Sequence, residues 1–471
     1  MVKTKIVATL GPASDSEHML KRMIAAGVNV FRLNFSHGTL LEHGQEIKRI
    51  RQVARAMNQN VAVMQDLRGP KIRLGMLGQA QVLLKTGAVV RMFSGQKSSQ
   101  DNMLPVSYPR LTEEVKKGDR ILLGDGEIEL RVLGIDAGKL VCKVVVGGTT
   151  ASKKGVNLPS ERLSISAITD KDRRDLAFGV QAGVDYVALS FVREARHIDQ
   201  LRRMIKRAGA EIPIIAKIES FQALKNIDEI IQAADGVMVA RGDLGVEVPL
   251  EEVPPLQKMI IRKANLCARP VITATQMLKS MVENKRPTRA EVTDVANAIY
   301  DGTDAVMLSE ETTIGKYPVE AVKTMRRIAR EAEKHWEGCK GIKTFDFVHT
   351  RSIPEAISHA AARMSEEMQV KAIITPTRTG LTARLVSRFK PKVPILAISP
   401  HQDTVKRLAL VWGVEARYIP DMEKSHDLLE TACKCGRRFL GLKPGELVVI
   451  TGGLPISAPG TTNVVQVREI N

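Results

Sequence analysis

The sequence predicts an α/β protein built around a (β/α)8 TIM barrel, with a small β-barrel lid domain inserted into it and a further α/β domain at the C-terminal end. Three features predict this organisation. Short apolar runs alternate with amphipathic stretches of helix length, one interval between two such runs exceeds a hundred residues, and the alternation restarts after about residue 340. A chain of 471 residues is also too long for a single compact core.

Eight short runs rich in valine and isoleucine are each bounded by glycine, proline or polar residues, which is typical of buried parallel strands. Amphipathic stretches of helix length, such as 41–57 and 193–208, separate most of these runs. Eight successive strand–helix units predict a (β/α)8 barrel, assigned to residues 1–69 and 168–345. The predicted strands are 4–10, 29–35, 61–67, 185–191, 213–218, 236–240, 270–274 and 304–308.

The interval between the third and fourth predicted strands is too long for a single loop without structure of its own. It contains runs of alternating apolar and polar residues, separated by glycine-rich turns such as the one at 147–148, which is typical of a β-rich domain. We therefore predict a small β domain, residues 70–167, that covers the mouth of the barrel as a lid. Its predicted strands are 80–84, 88–93, 120–123, 128–133 and 139–146.

A third unit is predicted over residues 346–471. Stretches of helix length and short apolar runs again follow each other, so we expect a separate α/β domain. Its predicted helices are 354–364, 379–389 and one that begins at 404, and its predicted strands are 372–375, 394–398, 446–451 and 463–469.

Composition and charge argue against several classes of protein. The longest apolar runs fall short of the about 18 residues expected of a membrane helix, the first run is too short for a secretory signal, and five cysteines form no disulfide framework. A cytoplasmic protein without membrane contacts is therefore expected. The net charge of +18 is spread along the chain without dense basic runs, which favours an enzyme that binds anions over a nucleic-acid-binding protein.

Polar residues stand at or just after the ends of most predicted barrel strands, where (β/α)8 enzymes carry their chemistry. For any one of them, a capping or turn role is the simpler interpretation, but so many together indicate an active site. These residues are Arg32, Asn34, Ser36, Asp66, Lys217, Glu219, Arg241, Asp243 and Thr275.

Two of these carboxylates predict a metal site. Glu219 and Asp243 end neighbouring predicted strands, and hard oxygen ligands suit Mg2+ or Mn2+ when substrate and water complete the shell. A surface ion-pair network is the alternative. Lys217 shares a strand face with Glu219 because residues two apart point the same way, so its ammonium can stabilise charge that develops in the site. The chain has no GxxxxGK[ST] string, so no P-loop is predicted.

Several strings that follow each other along the barrel and the inserted domain carry a family resemblance. They are TKIVATLGPAS (4–14), FRLNFSHG (31–38), DLRGPKIR (66–73), KKGVNLP (153–159), IAKIES (215–220), MVARGDLGVE (238–247), ITATQML (272–278), RPTRAEVTDVANAIYDGTDAVMLS (286–309) and GKYP (315–318). On these strings the chain resembles the bacterial pyruvate kinases, in particular the potassium-independent members that carry GPKIR. The resemblance implies a barrel, a lid and a C-terminal regulatory domain.

The resemblance also implies the reaction and the roles of the site residues. The reaction transfers the phosphoryl group of phosphoenolpyruvate to ADP and gives pyruvate and ATP. Arg32 and Lys217 are then expected to act on the phosphoryl group, Gly242 and Asp243 to bind substrate, and Thr275 to lie near the enol carbon that is protonated. A hydroxyl is a poor acid alone, so we expect a water relay, and the ultimate proton donor stays open.

Nucleotide contacts and assembly follow from the same resemblance. Arg73 and Lys154 flank the lid and are expected to contact the nucleotide phosphates, although a surface role for either is the simpler alternative. The family is usually tetrameric, so a homotetramer is expected. The full set of expected nucleotide-binding residues is Asn34, Phe35, Ser36, His37, Arg73 and Lys154.

One departure from the family pattern concerns K+. In potassium-dependent relatives the ion is bound by the residues that match Asn34, Ser36, Asp66 and the carbonyl of Leu67, with a glutamate nearby in the string GPEIR. Here Lys71 replaces that glutamate, and at 4 Å its ammonium would repel K+ by about 4 kcal/mol at an effective dielectric of 20. We hypothesise that the Lys71 ammonium replaces K+. The alternative is that Lys71 points to solvent and K+ still binds.

The C-terminal domain carries a predicted effector site. The string TPTRTGLT (375–382) follows a strand and opens a helix, an arrangement that suits anions, and by resemblance it binds the phosphate of an allosteric metabolite. A second loop, 452–462, is expected to close over that ligand, and a plain helix cap is the alternative. Fructose 1,6-bisphosphate, ribose 5-phosphate and AMP all remain open. The candidate residues are Thr377, Arg378, Thr379, Gly380 and Thr382.

Two other functions each account for part of the sequence. A metal-dependent barrel aldolase that acts on pyruvate enolates could share the Glu219 and Asp243 site, but it leaves the lid, Arg73 and Lys154 unexplained. A basic nucleic-acid-binding protein with a degenerate barrel does not explain why the charged strand ends are intact.

Overall fold

The computed structural model describes residues 2–124, 126–159, 163–336, 352–420, 422, 428–453 and 461–471. Its strands are β1 (Lys5–Thr9), β2 (Val30–Asn34), β3 (Ala62–Leu67), β4 (Val82–Leu84), β5 (Val89–Ser94), β6 (Met103–Val106), β7 (Arg120–Leu123), β8 (Ile128–Asp136), β9 (Lys139–Val146), β10 (Gly148–Thr150), β11 (Val156–Asn157), β12 (Tyr186–Leu189), β13 (Ile214–Ile218), β14 (Gly236–Ala240), β15 (Val271–Ala274), β16 (Ala305–Leu308), β17 (Ala372–Pro376), β18 (Ile395–Ser399), β19 (Val414–Tyr418), β20 (Leu447–Gly452) and β21 (Val464–Glu469).

Helices connect many of these strands. They are α1 (Glu17–Ala26), α2 (Leu40–Ala56), α3 (Leu111–Glu114), α4 (Asp170–Ala182), α5 (Ala195–Arg207), α6 (Phe221–Lys225), α7 (Ile227–Ala233), α8 (Arg241–Glu247), α9 (Val253–Leu266), α10 (Arg289–Tyr300), α11 (Glu310–Thr313), α12 (Pro318–Lys334), α13 (Ile353–Glu367), α14 (Leu381–Ser387), α15 (Gln402–Arg407) and α16 (Leu428–Leu440). No helix of the described ranges is long and apolar enough to span a membrane.

Eight parallel strands close into a barrel in the order β1-β16-β15-β14-β13-β12-β3-β2, which confirms the predicted (β/α)8 architecture. Every predicted barrel strand exists, with ends that differ by two residues or fewer. Most of their residues are buried, since one strand face fills the barrel and the other packs on helices, and this explains the continuous apolar runs.

Helix starts on the outside of the barrel are fixed by local sequence. Thr39, Thr169 and Thr288 each cap a helix and form a reciprocal capping box with the acidic residue three positions later. Such a box satisfies backbone N–H groups that the first helical turn leaves without partners. The following helices α2, α4 and α10 therefore begin at positions that the sequence itself specifies.

The inserted domain contains a six-stranded sheet in the order β11-β7-β8-β9-β5-β6 and a two-stranded sheet of β4 and β10. The segment at Arg73 and Leu74 joins the two edges of the larger sheet. The Leu74 N–H donates to the Lys154 carbonyl at 2.9 Å beside β11, and the Ser107 N–H donates to the Arg73 carbonyl at 2.9 Å beside β6. The sheet is thereby closed on itself, as predicted, although β6, β10 and β11 were not anticipated.

The C-terminal domain is a five-stranded sheet in the order β19-β18-β17-β20-β21, with β21 antiparallel to β20. Strand β19 and helix α16 were not anticipated, and α14 is shorter at both ends than the predicted helix 379–389. The predicted boundary at 345 and 346 lies outside the described residues.

This domain seals the amino-terminal end of the barrel. Ala409 and Leu410 join the apolar cluster that fills the barrel interior. Beside them Lys390 Nζ lies 2.7 Å from Asp304 Oδ1, and both side chains are buried. Breaking a buried pair of this kind on one side is strongly destabilising because it leaves an uncompensated charge. The opposite, carboxyl-terminal end is therefore the end at which the barrel interior can be reached by ligands.

Candidate active site

The charged residues predicted from strand ends meet at the carboxyl-terminal end of the barrel. Arg32 lies on β2, Asp66 on β3 and Lys217 on β13, and Glu219 follows β13 directly. Arg32 Nε donates to Asp66 Oδ2 at 2.6 Å. Lys217 Nζ lies 3.4 Å from Asp66 Oδ1 and 2.8 Å from Glu219 Oε1. Four strand-end groups thus form one continuous network of alternating charge.

The side chains of this network are almost completely shielded from solvent. Side-chain exposure is 2% for Asp66, 10% for Lys217 and 1% for Glu219. Burial disfavours the ionised form of Asp66, but Lys217 and Arg32 outweigh it and hold the pKa of this carboxyl below its usual range. Burial likewise opposes the charge on Lys217, but Asp66 and Glu219 raise its pKa above the usual value. Lys217 is therefore a fixed positive charge at neutral pH.

Ser190 also belongs to this network, and the sequence reasoning missed it. It follows β12 directly and is buried. Lys217 Nζ donates to Ser190 Oγ at 2.8 Å, and Ser190 Oγ donates to the Leu67 carbonyl at 2.8 Å. The signal was present, because Ser190 stands one residue before the end of the fourth predicted strand, and polar residues stand at or near the ends of most others. Ser190 thus fixes the position of the Lys217 ammonium.

Glu219 and Asp243 form the candidate metal site. Both line a cavity of about 70 Å³ between the barrel and the inserted domain. Burial raises the pKa of Glu219 above its usual range, and the negative charge of nearby Asp243 adds to this effect. The positive charge of Lys217 opposes it but does not outweigh it. Among the described residues no group of three or more histidine, cysteine, aspartate or glutamate side chains can hold a metal. Two carboxylates beside an open cavity fit a hard divalent cation that takes its other ligands from substrate and water.

The end of β15 adopts a strained turn at this site. Thr275 and Gln276 have φ angles of 70° and 56°, which is unfavourable for a β-branched residue such as threonine. The Gly242 N–H donates to Thr275 Oγ1 at 2.8 Å, and Thr275 Oγ1 donates to the Ala274 carbonyl at 2.6 Å. Arg241 supports the turn, since its Nη2 donates to the Thr275 carbonyl at 2.8 Å.

The predicted nucleotide-binding residues are more dispersed. Asn34 and Ser36 are half-buried, and Asn34 Oδ1 accepts the Ser36 N–H at 3.1 Å. Phe35 is buried and its ring stacks on His43 at 4.1 Å, so its side chain packs in the core. His37 is exposed, and its carbonyl lies 2.9 Å from His43 Nε2.

The two predicted phosphate contacts lie in the inserted domain. Arg73 Nη1 donates to the Lys153 carbonyl at 3.0 Å. Lys154 is exposed, and its Nζ lies 3.7 Å from Glu127 Oε2. Neither side chain belongs to the buried network of the barrel, so any contact that they make with a nucleotide depends on the position of the inserted domain.

Lys71 is exposed and lines the same cavity as Glu219 and Asp243. Within the described part of the chain the cations that pair with Asp66 are Arg32 and Lys217. The Lys71 ammonium is thus placed toward the candidate metal site and the inserted domain, while Asp66 is already neutralised by other groups.

The predicted effector loop follows β17. The Gly380 N–H donates to Thr377 Oγ1 at 3.0 Å, and Thr382 Oγ1 lies 2.7 Å from Thr462 Oγ1. Arg378 is half-buried and Thr379 is exposed. Residues 454–460 of the second predicted loop lie outside the described residues.

The fold and the site define a class of protein, the (β/α)8-barrel enzymes that act on anionic substrates at the carboxyl ends of their strands. Two family models match the chain: the pyruvate kinase barrel domain over residues 1–322 and the pyruvate kinase alpha/beta domain over residues 355–468. The chain belongs to the pyruvate kinase family, whose enzymes use phosphoenolpyruvate and ADP as substrates.

Relatives and a solved structure agree with this assignment. The chain is 49% identical to pyruvate kinase 2 of Synechocystis sp. over 99% of its own length and 79% of the relative. It is 44% identical to the pyruvate kinase of Thermotoga maritima over the full length of both chains. The crystal structure of a pyruvate kinase from Cryptosporidium parvum superposes with a TM-score of 0.92 at 34% identity, over 100% of this chain and 96% of the other.

Proposed function

We propose that the buried network around Lys217 carries out the transfer of the phosphoryl group from phosphoenolpyruvate to ADP. The observation that supports this proposal is the position of the Lys217 ammonium, which Asp66, Glu219 and Ser190 fix at 3.4, 2.8 and 2.8 Å. Phosphoryl transfer depends mainly on positioning and on charge stabilisation. A preorganised cation in a site of low dielectric stabilises the transferring group without reorganising during the reaction.

Each step of the reaction can be assigned to particular residues of this chain. Arg32 and Lys217 bind the phosphoryl oxygens, so that the bond between phosphorus and the enol oxygen breaks while a bond to a terminal ADP oxygen forms. The enolate then takes a proton at its terminal carbon and becomes pyruvate. Thr275 follows β15, two strands from Lys217, and its hydroxyl already donates to the Ala274 carbonyl. We therefore assign it the orientation of a water that delivers the proton.

A divalent cation, Mg2+ or Mn2+, fits the carboxylates of Glu219 and Asp243. When bound, it neutralises charge on the phosphoryl oxygens during transfer. The backbone at Gly242 lies beside this pair, and a side chain there would place its Cβ 3.5 Å from Thr275 Oγ1. We propose that glycine keeps this space open for the substrate carboxylate, next to Asp243. On the other side of the barrel mouth, Asn34, Ser36, His37, Arg73 and Lys154 are proposed to contact the nucleotide.

The direct test is the rate of pyruvate formation from phosphoenolpyruvate, ADP and Mg2+. Pyruvate should appear at the same rate as ATP, and omission of ADP should abolish both products. Pyruvate without ATP, or no pyruvate even with sugar phosphates and AMP present, would contradict the proposal.

We propose that catalysis does not require K+, because the Lys71 ammonium supplies positive charge at the cavity it shares with Glu219 and Asp243. The rate in K+-free buffer should equal the rate with K+ at matched ionic strength. The Lys71→Glu variant should lose about tenfold in rate without K+ and recover when K+ is added. Lys117→Glu, the same charge change at another exposed lysine of the inserted domain, serves as the control. Strong K+ activation of the unaltered enzyme would refute this role.

We propose that a phosphorylated metabolite activates the enzyme at the loop of Thr377, Arg378, Thr379, Gly380 and Thr382. The hydrogen bond between Thr382 and Thr462 supports this proposal, because it joins the two loops that were predicted to enclose the ligand. The N-terminus of α14 contributes less to anion binding than predicted, because this helix has only seven residues. The ligand must therefore rely mainly on hydroxyl and guanidinium donors.

Saturation curves for phosphoenolpyruvate, measured with fructose 1,6-bisphosphate, ribose 5-phosphate or AMP, test this site. One of the three should lower the half-saturating substrate concentration by about 5-fold or more, within the usual range of allosteric coupling. Thr382→Val removes one hydroxyl at nearly constant volume and should raise the activator concentration needed by roughly tenfold. Thr293→Val, at an exposed position of the barrel, should not. An unchanged saturation curve with all three compounds would exclude the site.

We also propose a homotetramer that works in the cytoplasm. Light scattering coupled to size exclusion should give a mass about four times the 51.7 kDa of one chain. A monomeric mass with full activity would contradict the tetramer.

A further inference from the structure

A second cavity lies where the inserted domain returns to the barrel, away from the catalytic network. Its volume is about 370 Å³, within the range of small-molecule sites. The return segment 163–167 forms one wall, and the first half of α5 forms another. Three arginines and one histidine line this cavity, against a single glutamate. Its electrostatic character is therefore positive.

His197 presents an N–H group at this cavity. The side chain is only 7% exposed, and its Nδ1 accepts the Arg193 N–H at 3.3 Å. Burial, aided by Arg193 and Arg196 and opposed by Glu194, lowers the pKa of His197 to about 4. The ring is thus neutral at physiological pH, and because Nδ1 accepts, Nε2 must carry the proton. No described residue accepts a hydrogen bond from Nε2.

Further donors in the cavity are uncommitted. Arg203 forms no hydrogen bond or ion pair with any residue in the described ranges, and the side-chain amides of Gln200 and Gln222 are likewise without partners there. Arg196 Nε forms an ion pair with Glu194 Oε2 at 2.7 Å, and Glu194 is the one carboxylate among the residues that line the cavity. The oxygens of a multiply charged anion would find several donors around this cavity: a buried N–H, a guanidinium and two amides.

Arg193 connects this cavity to the catalytic end of the barrel. It is buried, and its two terminal nitrogens donate to the carbonyls of Leu163, at 2.7 Å, and of Ile165. It lines both this cavity and the one that holds Glu219 and Asp243. A ligand beside Arg193 would therefore contact the segment on which the inserted domain is hinged to the barrel.

We propose that this cavity is a binding site for a small phosphate monoester, separate from both the catalytic site and the C-terminal effector loop. The phosphate oxygens accept from His197 Nε2 and from the Arg203 guanidinium, and Gln200 and Gln222 bind the hydroxyl groups of the ester. The volume of about 370 Å³ accommodates a sugar phosphate.

Hydrogen–deuterium exchange of the full chain tests the proposal locally. The segment 163–167 also borders the cavity of Glu219 and Asp243, whereas α5 lines only the proposed site, so slower exchange in α5 distinguishes binding here from binding at the catalytic site. Inorganic phosphate and, in a second arm, ribose 5-phosphate are titrated against sodium chloride of equal ionic strength. Both phosphates should slow exchange in 163–167 and in the first half of α5, with ribose 5-phosphate binding at least as tightly. Arg203→Gln should weaken the affinity, measured from this protection, by about tenfold or more. Arg207→Gln, an exposed arginine on the same helix, should not.

Three results would overturn the proposal. One is protection that sodium chloride reproduces, because this would show general screening of charge. Another is equal protection in the Arg203→Gln and unaltered chains. The last is protection by inorganic phosphate but not by ribose 5-phosphate, which would mean that the cavity excludes an ester. Both variants change exposed residues, so both should fold.

Discussion

The Lys217→Met substitution is expected to lower kcat by about a thousandfold, the upper range for removal of one preorganised charge donor. Methionine keeps most of the side-chain volume but removes the ammonium that lies 2.8 Å from both Glu219 Oε1 and Ser190 Oγ. The transferring phosphoryl group then loses a fixed cation inside a site that excludes most solvent. Steady-state rates with saturating phosphoenolpyruvate and ADP measure this loss directly.

The same substitution also leaves buried carboxylates with fewer partners. Asp66 retains Arg32, but Glu219 Oε1 loses its ammonium. A lower melting temperature is therefore expected, and circular dichroism below that temperature must show a folded chain before the kinetic result is interpreted. Lys21→Met, at an exposed lysine paired with Glu17 on α1, is the matched control and should keep full activity. A Lys217→Met enzyme within tenfold of the control would exclude the proposed role.

The Glu219→Gln substitution should reduce kcat/KM by roughly a hundredfold or more at millimolar Mg2+, because the amide is a poorer ligand than the carboxylate for a hard cation. Its volume is nearly unchanged, and the Phe191 N–H, which donates to Glu219 Oε2 at 2.7 Å, retains an acceptor if the amide oxygen faces it. The Mg2+ concentration for half-maximal rate should rise together with the fall in activity.

A readout independent of turnover separates metal binding from other effects of this substitution. Titration with Mn2+, followed by electron paramagnetic resonance, should show weaker binding in Glu219→Gln and unchanged binding in Glu251→Gln, a control at an exposed position beyond α8. Normal Mn2+ affinity in Glu219→Gln would mean that the cation is held elsewhere. Asp243→Asn should behave like Glu219→Gln if the two carboxylates share one ion.

The barrel was predictable because its signal is local and repeated. Each strand is buried on both faces, so an apolar run such as 236–240 identifies it without knowledge of its neighbours. Polar residues at the ends of such apolar runs were easy to recognise as candidate site residues. Lys217 and Glu219 are two examples. Short strands with no apolar run of their own, such as β10 and β11, were missed because pairing with β4 and β7 defines them.

By itself, the sequence determined the family, the eight strands of the barrel and the chemical nature of the site, because these depend on residue type and spacing along the chain. Only the tertiary structure decided which groups touch. Ser190 joins Lys217 because β12 lies beside β13 in the barrel. Asp66 is neutralised by Arg32 and Lys217, while Lys71 lines the cavity of Glu219 and Asp243. Coulombic and hydrogen-bonding energies depend on distance in space, and distance along the chain does not specify it.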